Sequence, residues 1–159
     1  MIDAKRGWRT GFKLSLFIYA ISLPISIVYI LFLEDLDDFV EGYWPGGWAT
    51  YLGYTALVIF IQSLMAGIIA GLLYAVFHER IPGSLSIEKG IILYVCLYIL
   101  YSVHEYLTIN LWGGIIFGLW YLSLVLGFLL ACVYGALLGY LWDRTIPTAP
   151  PIDPVPPRI

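Results

Sequence analysis

The chain reads as an all-α protein, a four-helix transmembrane bundle built from two tandem related helical hairpins, and three observations predict this. Of its 159 residues 61% are hydrophobic and 12% charged, with a mean hydropathy of +0.88, whereas a soluble domain is about half apolar and a quarter charged. Four apolar stretches, at about 12–33, 51–77, 90–111 and 115–142, each reach the roughly 20 helical residues that a hydrocarbon core of about 30 Å requires. Small residues recur at every fourth position in the second and fourth stretches, at a constant offset. Residues 1–144 form one transmembrane domain on this reading, and 145–159 a proline-rich tail.

The first stretch follows a basic segment, as in a secretory signal, but it is long and ends in Leu33-Glu34-Asp35 without a small-residue cleavage pattern. It is expected to remain as a helix. The connection after it carries Glu34, Asp35, Asp37, Asp38 and Glu41 with no basic residue. These carboxylates could hold a hard cation, but the glycine and terminal glutamate of an EF-hand loop are missing, so the segment reads as solvated acid and no metal is expected. Tyr43-Trp44-Pro45-Gly46-Gly47-Trp48 reads as a turn with aromatic anchors at the membrane interface. The second and fourth stretches exceed the minimum length, which predicts tilt or ends in the headgroup region near Tyr51, Tyr54, Trp120 and Tyr121. A short uncharged turn at Trp112-Gly113-Gly114 joins the third stretch to the fourth. The tail has six prolines in fifteen residues, which excludes helix and sheet and leaves polyproline II. Such a segment either docks on an aromatic groove of a partner or is a disordered end.

In a four-crossing arrangement all eight basic residues share one side: Lys5, Arg6, Arg9, Lys13, Arg80, Lys89, Arg144 and Arg158. The positive-inside rule then places both termini in the cytoplasm and the protein in the cell membrane as a multi-pass protein. The net charge of −3 conceals this polarisation and gives no support to nucleic-acid binding.

Ser63, Gly67, Gly71 and Ala75 form one ladder, and Gly127, Ala131, Gly135 and Gly139 repeat it 64 residues later. Both are followed by an acid-base pair and a proline, Glu79-Arg80 with Pro82 and Asp143-Arg144 with Pro147. In the odd-numbered helices Ser15, Tyr19, Ser22, Ser26 and Tyr29 match Tyr94, Tyr98, Tyr101, Glu105 and Thr108 in steps of 4, 3, 4, 3, which keeps each set on one helix face. A flat strip of small residues lets backbones approach closely in lipid, where dispersion and Cα–H···O contacts drive association. Whether the ladders pack within a chain or between chains stays open at this point.

Glu105 is the principal candidate for an intramembrane polar site, with Tyr101, Tyr98, Ser26 and His104 around it. An ionisable group inside a bilayer is a functional hypothesis by default. It needs a proton, hydroxyls such as those of Tyr101 or Ser26, or a cation, and it serves either as a hydrogen-bond anchor or in transport. His104 is adjacent but points about 100° away around the helix, so the two do not readily ligate one metal. Gln62 reads as an interhelical hydrogen bond and His78 as a marker of the membrane boundary. Cys96 and Cys132 fall inside apolar stretches in no metal-binding spacing.

Glu79-Arg80 matches part of the Glu-Arg-x-x-x-Asn pattern of the four-helix membrane glutathione transferases, but position 84 is Ser84, so nothing transfers from that family. Intramembrane serine protease, phosphatidic acid phosphatase and isoprenoid transferase patterns are missing, as are a serine triad, a phosphate loop and a haem motif. The sequence therefore predicts no enzyme, no catalytic residue and no cofactor. It predicts a scaffold or accessory subunit in the lipid bilayer, partnered by other membrane subunits or by copies of itself. The alternative is a small oligomeric transporter or channel for protons or cations that uses Glu105.

Overall fold

The computed structural model describes residues 3–31, 40, 46–111 and 117–145, leaving aside the side chains at 29–31, 105–111 and 117–123. Among the described residues there are four long helices and no strand: α1 (Ala4–Leu31), α2 (Gly47–Phe77), α3 (Ser86–Leu111) and α4 (Phe117–Arg144). Each contains a segment long and apolar enough to cross a membrane. The acidic residues Glu34 to Asp38, the aromatic run Tyr43 to Pro45, the turn at Trp112 to Gly114 and the tail after Thr145 lie outside the described residues.

The helices start earlier than the apolar stretches do, at Ala4, Gly47 and Ser86 rather than at 12, 51 and 90. Helical hydrogen bonding does not stop where hydrophobicity stops, because a cap can satisfy the first N–H groups in the interface. Asp3 caps α1, its carboxylate accepting from the Arg6 backbone N–H at 2.9 Å. Glu88, in the first turn of α3, reaches back instead and accepts from the N–H groups of Ser84 and Leu85, just before the helix, at 2.9 and 3.2 Å. Gly46, at φ 91°, precedes α2 in a left-handed conformation that a side chain would strain. Pro24 interrupts α1 and deprives the Ala20 carbonyl of its helical donor, a break that membrane helices tolerate.

Consecutive helices run antiparallel and pair tightly as α1 with α2 and α3 with α4. The hairpins then meet mainly through α1 and α4, while α2 and α3 barely touch. The buried cluster follows that asymmetry: Leu14 and Ile18 of α1, Ala70 and Tyr74 of α2, and Tyr134, Leu138, Leu141 and Trp142 of α4. Most other large side chains of the helices face outward, including Met65, Leu100, Val125 and Leu129, as expected of helices whose solvent is lipid.

Candidate functional site

Both small-residue ladders are engaged inside their own hairpin. A Cβ placed on Gly67 would lie 2.7 Å from the Gly11 carbonyl oxygen and from Ser15 Cβ, and one on Gly7 would lie 2.7 Å from Ala75 Cβ. In the other hairpin, a Cβ on Gly135 would lie 2.6 Å from the Gly90 carbonyl oxygen and from Ile91 Cα, and Gly139 faces Ser86 in the same way. Backbone therefore meets backbone at both crossings, and any side chain at these positions would push the helices apart. Gly7, Gly11, Ser86 and Gly90 are the ladder partners that sequence reasoning missed. Stepping back by fours from Ser15 and from Tyr94 reaches all of them, but they sit in or beside the basic flanks, Gly7, Gly11 and Ser86 outside the apolar stretches and Gly90 at the very start of one.

The seam between α1 and α4 is closed by polar side chains. Arg6 donates from Nε and Nη2 to the Trp142 carbonyl oxygen at 3.2 and 2.6 Å, and its guanidinium lies 4.1 Å from the centre of the Trp142 ring. Further along, the hydroxyls of Ser22 and Tyr134 share a hydrogen bond of 3.0 Å. At the Arg6 end the clasp reaches all four helices: Tyr74 donates to the Ser86 carbonyl oxygen at 2.7 Å, and Ser86 Oγ donates to Asp143 at 2.6 Å. His78 packs there against the Tyr74 and Trp142 rings, at 5.0 and 5.4 Å between centroids, with its buried Nε2 unpartnered. Burial, then the positive charges of Lys89 and Arg6, hold the His78 imidazole below its ordinary pKa of 6.5, against the smaller opposing pull of Asp143 and Glu79. His78 is thus part of the helix clasp as well as a boundary residue.

The α2–α3 seam is open. A cavity of about 380 Å³ lies between Ala66, Ile69 and Ala70 of α2, Tyr94, Leu97, Tyr98 and Tyr101 of α3, and Gly127, Leu130, Ala131 and Tyr134 of α4. Tyr98 donates its hydroxyl to the Leu124 carbonyl oxygen at 2.7 Å. Tyr94 stands edge-on to the Tyr134 ring, 6.1 Å between centroids, and its buried hydroxyl has no hydrogen-bond partner.

A second cleft, about 330 Å³, lies between α1 and α2 and is lined by Ser22, Ser26, Gln62 and Ser63 with Ile18, Ile59 and Ala66. Gln62 and Ser26 are therefore brought together, although no hydrogen bond joins them among the described contacts. Glu105 is on α3, but its side chain, like those of Thr108 and Tyr29, lies outside the described residues. Its neighbour His104 is exposed. Tyr98 and Tyr101 border the α2–α3 cavity while Ser26 borders the other cleft, so the residues grouped around Glu105 divide between two spaces.

No protein-family model, curated protein or solved structure matches this chain. Any functional reading therefore rests on the seams. Among the described residues no group of three His, Cys, Asp or Glu side chains converges as a metal site would require, and the polar groups that do converge join helix to helix.

Proposed function

We propose that this chain is a non-catalytic scaffold or accessory subunit of a membrane assembly, held in the cell membrane with both termini in the cytoplasm. The observation that carries this reading is the use of the polar side chains. Arg6, Ser22, Tyr74, Ser86 and Tyr98 each bond to another helix or to the turn before it, an arrangement that rigidifies a bundle rather than lining a path through it. Orientation is supported by the described basic residues from Lys5 to Arg144, which gather where α1 and α3 start and α2 and α4 end. A duplication of the hairpin is supported by the crossings: an offset of 79 carries Gly11 to Gly90, and one of 64 carries Gly71 to Gly135. Because the ladders are occupied within the chain, partner subunits or further copies would dock on the lipid-facing sides, and the proline-rich tail offers a cytoplasmic attachment.

The test is the native mass of the protein solubilised in mild detergent from its own host. A particle containing other polypeptides or several copies is expected, and a lone monomer would overturn the reading. The cleft of Ser22, Ser26, Gln62 and Ser63 beside Pro24 favours a second reading, a small oligomeric transporter or channel for protons or cations that uses Glu105. Proteoliposome flux that Glu105→Gln abolishes is expected on that reading, and flux indifferent to the substitution would remove it.

A further inference from the structure

We infer that the outer face of α1 near its start binds an anionic phospholipid, the headgroup phosphate held by Lys5, Arg9 and Lys13 and an acyl chain laid along Phe12 and Leu16. The inference needs the membrane setting alone and does not depend on the scaffold reading.

The start of α1 carries four cations, and they part in two directions. Arg6 turns inward to the Trp142 carbonyl oxygen. Lys5, Arg9 and Lys13 recur at every fourth position and are all exposed. At about 100° and 1.5 Å per residue they occupy a sector about 80° wide along about 12 Å of the helix. The opposite face is already used, since Gly7 and Gly11 meet α2 and Leu14 lies in the core. The carboxylates of this end are engaged elsewhere: Asp3 accepts from the Arg6 backbone N–H, Glu88 from Ser84 and Leu85, and Asp143 from Ser86. Glu79 forms no ion pair with the three cations among the described residues.

The surroundings select the anion. Trp8, Phe12 and Leu16 form a second row, about 60° around the helix from the first, and are 51, 47 and 49% exposed. Cations and apolar side chains thus share one outward surface. Lys13 lies inside the apolar stretch that starts at 12, with Phe12 and Leu16 beside it. Its stem follows the apolar surface while the ammonium reaches back to the headgroup level, where the anion is a lipid phosphate. A phosphate dissolved in water would satisfy the cations but leave Phe12 and Leu16 uncovered, whereas a diacyl lipid meets both rows. A zwitterionic headgroup brings its own ammonium against the cations, so a lipid of net negative charge is favoured.

The full-length protein in mild detergent would be offered equal amounts of dioleoyl phosphatidylglycerol and dioleoyl phosphatidylcholine, and the retained lipid counted by native mass spectrometry. Phosphatidylglycerol should be retained in preference. Lys5→Gln, Arg9→Gln and Lys13→Gln should each lower the preference about two- to fivefold, the worth of one basic residue at an anionic surface, and the triple variant should abolish it. Combining Arg80→Gln, Lys89→Gln and Arg144→Gln removes the same charge from the other helices and should leave the preference in place. Equal retention of the two lipids would overturn the inference, as would a preference that both triple variants lose alike, since the general charge of this end would then suffice. Displacement by an equal concentration of glycerol phosphate would also overturn it, assigning the cations to a water-soluble anion. Should the triple variant fail to fold, the three single variants, each at an exposed side chain, decide.

Discussion

The two seams between the hairpins differ more than the hairpins themselves do. Between α1 and α4, Arg6 meets Trp142 and Ser22 meets Tyr134. Between α2 and α3 a cavity of about 380 Å³ remains. In the proposed duplication the counterpart of Tyr134 is Ala70 and that of Ser22 is Tyr101, and both counterparts border the cavity. The counterparts of Arg6 and Trp142 are Leu85 and His78, which cannot make the charged hydrogen bond. If the hairpins are repeats as proposed, the opening follows from a few unlike residues at matching positions: where one seam has a large phenol, the other has a methyl group.

The comparison can be broken most strongly at Tyr134. Tyr134→Ala removes the phenol from the closed seam and should cost about 3 kcal/mol, read as a lowered melting temperature in detergent, with the α2–α3 cavity enlarged toward α1. Arg6→Gln removes the charged donors and the ring contact with Trp142 and should cost about 2 kcal/mol, since the guanidinium is only partly exposed. A loss as large from Arg9→Gln, whose side chain is exposed, would deny the clasp its special role. Tyr134→Phe keeps the ring and loses only the bond to Ser22, for about 1 kcal/mol. Ser22→Ala should match it, and the double variant should cost no more than either alone.

The smallest effect concerns acid. With its folded pKa held below 6.5, His78 favours folding in its neutral form. Stability from this group is full above about pH 6.5 and falls as the pH drops from there toward the folded pKa, because the unfolded chain then binds the proton more readily. Melting temperature should therefore decline between pH 7.5 and 5.5, and His78→Phe should lessen the decline. An unchanged slope in that variant would move the acid sensitivity elsewhere.

Helix number, antiparallel order and the small-residue faces were all legible in the sequence, because lipid demands long apolar helices and close packing in lipid demands small residues at helical spacing. The partners of those faces were less legible. Gly7 and Gly11 lie among Lys5, Arg6, Arg9 and Lys13, and hydropathy sees the charges and not the face between them. Among the candidate polar residues, Tyr98 and Ser26 are half-buried while Tyr101 is exposed, and a stripe on one helix does not say which neighbour it meets. Ser22 bonds to Tyr134 across one gap, while Ser26 and Gln62 only line the same cleft at another.

By itself, then, the sequence determined a multi-pass helical membrane protein with four spans and two strips where backbones touch. These are local properties, set by the length, periodicity and size of residues on one helix. Tertiary structure alone decided that each strip is used within its own hairpin, that α1 and α4 lock while α2 and α3 part, and that the Tyr94 hydroxyl is buried beside an apolar cavity. Those outcomes depend on which side chains from distant segments meet at the same depth, and sequence periodicity carries no information about depth across a seam.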